Sequence, residues 1–219
     1  MNSRYVDLSH PIEHGMVTYP GLPGPAVSTH RERVATAPGS GVSFHIGRID
    51  LVANTGTYVD APFHFHAGGA DIAGLALERL VDVPAVRVSA YGRPVLGPDL
   101  FGEPDRLWGK AVLVHTGWSR HWGTPRYGEG APYLTAATAR FLVDANVAVL
   151  GVDAVNVDDP TDPARPVHDT LLGNGIPIIE HLTNLAALPA EGFRLTALPA
   201  PVRGIGSFPV RAVAVLACG

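Results

Sequence analysis

Short runs of valine, isoleucine and alanine, most of them bounded by glycine or proline, constrain this chain more than any other feature of its sequence. They fall at residues 46–53, 85–89, 111–115, 147–152, 176–179, 193–198 and 211–216. Each is strand-length and rich in residues that favour extended backbone. With 25 glycines and 20 prolines between them, the pattern predicts a β-rich body with ordered turns and long loops rather than a helical bundle. One helix is expected after Thr135, which can cap it. Ala137, Phe141, Leu142 and Ala145 would line one face, and Asn146 would stop it. A weaker helix is expected over 75–80. No internal repeat or low-complexity linker divides the sequence, so residues 1–219 read as one mixed α/β unit.

Composition narrows the function classes. A hydrophobic fraction of 46% suffices for a substantial core, and a charged fraction of 16% mildly favours an oligomer with buried faces. The formal charge of −4 and the lack of a basic cluster argue against nucleic acid as a partner. The apolar runs are too short to span a membrane. The N-terminus enters a strand-like segment without a charged-then-apolar leader, so a cytoplasmic location is expected. Cys218 is the single cysteine, which excludes an intrachain disulfide and a cysteine-based zinc site. Ten histidines are the notable polar excess.

Two regions carry chemistry. The first runs from Asn54 to His66 and holds Gly56, Tyr58, Asp60, Pro62 and His64. In an extended segment, Tyr58, Asp60, Pro62, His64 and His66 would share a side, offering a phenol, a carboxylate and imidazole to one pocket. A carboxylate beside an imidazole is a general-base pair or half of a metal site. The same spacing is equally compatible with an ordered turn whose polar groups satisfy one another. The second region holds His168 and Glu180, donors suited to Zn2+ or Mn2+. Glu180 closes an apolar run, an odd place for a charge unless it is paired, solvated or ligating. Taken alone, a surface histidine and a strand-end glutamate account for this pair more simply.

The first region resembles the signature of the cyclase family, which includes bacterial kynurenine formamidase and isatin hydrolase: His-x-Gly-Thr-His-x-Asp-x-Pro-x-His. Gly56, Thr57, Asp60, Pro62 and His64 match in register. Asp7 to Ile12, Tyr19 to Gly21, Thr116 to Ser119, Gly151 to Asp158 and the segments around Pro199 and Pro209 to Val213 resemble other parts of the family. The resemblance implies an α/β swivelling β/β/α fold with a small barrel-like mixed sheet and few helices. It also implies a homodimer or homotetramer, and metal-dependent hydrolysis of a small amide-like substrate.

Two motif histidines of the family fall on Asn54 and Tyr58 here. The resemblance then implies that one metal position is weakened or lost, since a neutral phenol is a poor zinc ligand. The other position maps onto Asp60, His168 and Glu180, leaving room for one divalent ion, with His64 as the proton-transfer group. Without metal, His64, Asp60 and Tyr58 would form an acid–base set, with Asn54 donating hydrogen bonds; that set suits cyclisation, dehydration or isomerisation. A catalytically silent small-molecule binder and a structural subunit of a hetero-oligomer are the readings from other classes. Trp118, His121 and Trp122 cluster after a strand ending at His115, and could wall an aromatic substrate pocket or pack an interface. Asn54, Tyr58 and Trp118 are therefore the candidate substrate contacts. His66 is a reserve ligand or base. His10, His14, His30, His45 and His181 show no partner in sequence.

Overall fold

A computed structural model describes residues 3–217. The elements in chain order are β1 (Ser3–Asp7), β2 (Ala26–Ala35), β3 (Ser43–Asp50), β4 (Tyr58–Asp60), β5 (Val83–Ser89), β6 (Val95–Leu96), β7 (Ala111–His115), β8 (Tyr133–Leu134), α1 (Ala136–Asp144), β9 (Val149–Val152), α2 (Pro166–Gly173), β10 (Ile178–Glu180), β11 (Phe193–Pro199) and β12 (Ser207–Ala217). Cys218 lies outside the described residues. No helix among the described residues is long and apolar enough to cross a membrane.

The main sheet runs β1-β12-β11-β5-β7-β9-β10-β4, and β4 also pairs with β12, so the strands from β12 round to β4 close into a small barrel. β5, β7, β9 and β10 are parallel to one another; the remaining pairings are antiparallel. The parallel strands are covered on both faces, which is why 111–115 and 149–152 read as near-continuous apolar runs. Alternate residues divide between two cores. Val59, Leu113, Val149, Ile179 and Leu195 belong to one. Val112, Val114, Leu150, Val152 and Ile178 belong to the other, with Leu142 of α1 and Leu171 of α2.

The helix after Thr135 forms as expected: the Thr135 hydroxyl accepts from the Thr138 amide at 3.1 Å, and Asn146 sits at φ +46° just past the end. Its buried residues are Thr138, Ala139, Leu142 and Ala145, with Phe141 partly covered; Ala137 faces solvent. The expected helix over 75–80 shrinks to a 3-10 turn, Leu77–Arg79, because Leu75 and Ala76 hold extended backbone. The run at 46–53 is strand as expected over 46–50, as part of β3, which pairs with β2 in an exposed two-stranded ribbon outside the barrel.

Candidate active site

Strand β4 lies between β10 and β12, and this register assembles the site. Val59 points into one core, so Tyr58 and Asp60 project from the opposite face. Glu180 is paired with Tyr58 across the sheet, and the Tyr58 hydroxyl donates to Glu180 Oε2 at 2.5 Å. Ser207 is paired with Asp60 on the other side, and its hydroxyl donates to Asp60 Oδ1. The Asn54 amide donates to Ser207 Oγ at 3.1 Å and reaches Asp60 Oδ1 at 3.5 Å. Glu180 Oε1 accepts from the Val157 amide at 2.9 Å.

His168 enters from α2. The Asp158 carboxylate accepts from the Val167 amide at 2.6 Å and the His168 amide at 3.0 Å, capping the helix start. The same carboxylate takes His168 Nδ1 at 2.6 Å. With Nδ1 so engaged, Nε2 faces the sheet, 3.7 Å from Asp60 Oδ2 and 3.6 Å from Glu180 Oε1. Asp60, His168 and Glu180 are all buried, and one donor atom from each lies within 4.8 Å of the others.

This trio fits a divalent cation on its own chemistry. Asp60 Oδ2 is buried and has no hydrogen-bond partner among the described residues, a costly condition for a carboxylate oxygen unless something binds it. Asp60, Glu180 and Asp158 place three carboxylates around one imidazole, so negative charge exceeds positive even with His168 protonated. Burial disfavours the His168 cation, but the hydrogen bond to Asp158 and the nearby carboxylates of Glu180 and Asp60 outweigh it and hold its pKa up to about 10. Burial raises Glu180 to about 7, with the His168 charge opposing and the Asp60 charge adding. Burial, then the charges of Glu180 and Asp60, push Tyr58 well above the ordinary phenol range.

His64 arrives by a turn, not by strand alternation. Pro62 starts a 3-10 turn, Pro62–His64, so the extended segment expected through His66 ends at Asp60. The turn leaves His64 at the pocket rim, with Nδ1 3.3 Å from Ser207 Oγ and Nε2 3.9 Å from Asp60 Oδ1. Gly206 packs flush against the His64 backbone, where any Cβ would overlap it. His66 parts from this group and meets Asp169, at 3.1 Å to its carbonyl and 3.6 Å to its carboxylate. Gly56, at φ +68° against Ile12, makes the turn into β4.

Asn54, Tyr58, His64, His168 and Glu180 line a cavity of about 480 Å3, walled further by Tyr19, Leu22, Phe65 and Arg165. Phe65 stacks on the His168 ring at 5.0 Å and 10°. Trp118 lies elsewhere: its ring is in the helix-side core, and its indole N–H donates to the Tyr127 carbonyl at 2.9 Å. Asp158 and Ser207 are the participants that sequence reasoning missed. A lone serine at a strand start carries no local signal, and Asp158 lies eight residues before Pro166, outside any local capping pattern. His181 was also missed. It is fully buried, with Nδ1 2.9 Å from the Tyr127 hydroxyl. Its neighbour Trp122 stacks on His10 at 4.0 Å and 5°.

Comparison with known proteins accords with this site. The sequence profile described as "Putative cyclase" matches residues 6–159, and the chain belongs to that family. It is an enzyme of the cyclase class. Kynurenine formamidase of Bacillus cereus is 28% identical over 217 residues, covering 96% of this chain and 97% of its own length. Isatin hydrolase A from Ralstonia solanacearum superimposes with a TM-score of 0.82 at 22% identity, over 98% of this chain and 92% of its own. A structure described as a "Potential Metal-Dependent Hydrolase With Cyclase Activity" gives 0.79 at 25% identity, over the full length of both chains.

Proposed function

We propose that this chain hydrolyses a C–N bond, of an amide, formamide or cyclic imide, in a small aromatic molecule. The observation that carries the reading is the buried Asp60, His168 and Glu180 set with its unpartnered Asp60 oxygen. The relationship to kynurenine formamidase supports it. Asp60, His168 and Glu180 would hold one divalent ion, Zn2+ or Mn2+; such an ion polarises a carbonyl and acidifies its water.

The chain's own residues supply the rest. Asp158 fixes the His168 tautomer and ring angle. Ser207 and Asn54 hold Asp60 Oδ1, so that Oδ2 is the free oxygen. The Tyr58 proton is committed to Glu180 Oε2, which makes Tyr58 a donor and not a base at neutral pH. Asn54 and Tyr58 thereby present N–H and O–H donors to the two carboxylates where relatives of the motif have imidazoles, which favours one ion over two. His64, at the rim and bonded to Ser207, moves the proton onto the departing nitrogen and exchanges it with solvent. Phe65 and Tyr19 bound the space for a flat substrate. The reading includes one domain over 1–219, assembled as a homodimer or homotetramer in the cytoplasm.

The test pairs metal content with turnover. Protein purified without chelator is analysed by elemental mass spectrometry beside His168→Ala, and both are assayed on N-formyl anilines and cyclic imides. The expected result is about one ion per chain, lost in the variant, with hydrolysis lost in step. No turnover on any of these amides, with Zn2+ or Mn2+ supplied, would sink the hydrolase reading. No metal uptake with turnover on a non-amide substrate would favour the acid–base alternative through His64, Asp60 and Tyr58.

A further inference from the structure

We propose that His66 is a positioning residue: it ties the turn that carries His64 to helix α2, which carries His168, and so sets where the proton-transfer group stands relative to the Asp60, His168 and Glu180 trio. The proposal rests on the hydrolase reading above, in which His64 moves the proton.

Residues 62–66 fold back on themselves. The His64 amide donates to the Ala61 carbonyl at 2.9 Å, and the Phe65 and His66 amides donate to the Pro62 carbonyl at 3.2 and 2.9 Å. Two surfaces hold this turn. On one side Gly206 lies flush with the His64 backbone, and the Ala61 amide donates to the Gly206 carbonyl at 2.7 Å. On the other side is α2. Phe65 stacks on the His168 ring there, an apolar contact that resists separation but has no direction of its own. Direction comes from a hydrogen bond, and His66 supplies it.

The bond runs from His66 Nε2 to the Asp169 carbonyl at 3.1 Å, and it is the only hydrogen bond between the turn and α2 among the described residues. A carbonyl can only accept, so Nε2 carries the proton. Asp169 directly follows His168, so the tie lands one residue from the imidazole of the trio. Gly173, at the end of α2, admits the ring: a Cβ there would come within 3.0 Å of His66 Nε2. The His64 and His168 rings stand 6.1 Å apart, and Phe65 lies against both. A misplacement of about 1 Å at a reacting group can cost up to a hundredfold in rate. The His66 side chain is 36% exposed, so its bond is an ordinary one and the expected effect is modest.

His66→Leu removes the donor and keeps the bulk, whereas His66→Gln returns an N–H where Nε2 stood. On N-formyl anilines, kcat should fall about three- to tenfold in His66→Leu and recover in His66→Gln, with KM and metal content unchanged. Gly173→Ala crowds the ring and should lower kcat in the same way, while the unfolding midpoint holds or rises, because alanine favours a helix more than glycine does. A merely structural His66 would move kcat, metal content and unfolding midpoint together. That result overturns the proposal, as does an unchanged kcat in His66→Leu.

A second arm needs no turnover. The ring signals of His64 and His168 are followed by NMR in histidine-labelled protein and assigned with His64→Gln and His168→Gln. Phe65 lies against both rings, so its ring current reports their placement. His66→Leu should shift both signals and leave those of His10 and His181 in place, and His66→Gln should restore them. If these shifts occur and no N-formyl aniline is hydrolysed by any of the proteins, the hydrolase reading falls and the tie between turn and helix stands. Unmoved His64 and His168 signals in His66→Leu overturn the proposal, as does a shift that His66→Gln fails to reverse.

Discussion

Two buried histidines stand on either side of Glu180, and burial treats them alike while their neighbours do not. His168 faces Asp158, Asp60 and Glu180, and its pKa is carried up to about 10. His181, next to Glu180 in sequence, packs among Tyr58, Trp122 and Tyr127, and burial, then the charge of His10, takes it down to about 3. The first region is an electrostatic socket whose negative charge outruns its positive charge. The second is an aromatic support that keeps its imidazole neutral and uses it as a spacer with one hydrogen bond. A buried histidine thus acquires its role from the carboxylates within reach, not from its depth.

The largest effect that could break this contrast is at His168. His168→Ala is expected to abolish metal uptake and lower kcat/KM by more than about a hundredfold, checked by elemental analysis and steady-state kinetics. A variant that keeps both would remove His168 from the site. Asp158→Asn sharpens the comparison, since it weakens the bond that orients Nε2 and leaves the ligand in place. Metal affinity should fall roughly ten- to a hundredfold, measured by competition with a chelating dye.

Tyr127→Phe probes the aromatic region. It strips the partner from a buried imidazole nitrogen and should cost about 1–3 kcal/mol of stability in denaturant unfolding, with metal stoichiometry intact. Loss of metal in that variant would join the two regions into one functional unit.

The smallest effect is in pH dependence, and its sign differs between the two rings. In metal-free protein, folded His168 keeps its proton above the ordinary value of 6.5, so its contribution is full below pH 6.5 and is lost as pH rises toward 10. His181 stays neutral in the folded chain down to about pH 3, so its contribution is full above 6.5 and is lost as pH falls. Unfolding curves taken with chelator should show both slopes. Added metal should flatten the alkaline one, because a ligated Nε2 has no proton to lose, and should leave the acid one in place. An alkaline slope indifferent to metal would mean that His168 is not where the ion binds.

Local chemistry was legible in the sequence. Ala111–His115 is the strand its apolar run announced, Thr135 and Asn146 bound their helix, and Glu180 closes a buried strand as its odd position suggested. Asp60, His168 and Glu180, singled out from motif and resemblance, stand together in space. What escaped was whatever depended on distant partners. β2 gave no usable alternation, because every residue of that strand is exposed, and β3 was read only from Ile46 onward. Ser207 becomes the partner of Asp60 only through strand register, and His181 is buried only because three aromatic rings close over it.

The division has a physical reason. Propensity, capping and hydrophobic period act over a few residues, so the sequence alone determined the strand runs, the one convincing helix and which side chains could ligate or transfer protons. Register and turn geometry act between segments far apart in the chain. They decided that Glu180 would meet Tyr58 and Ser207 would meet Asp60, that Pro62 would end the strand and send His66 away from His64, and that Trp118 would sit in the core. They also decided which of two equally buried imidazoles is surrounded by charge.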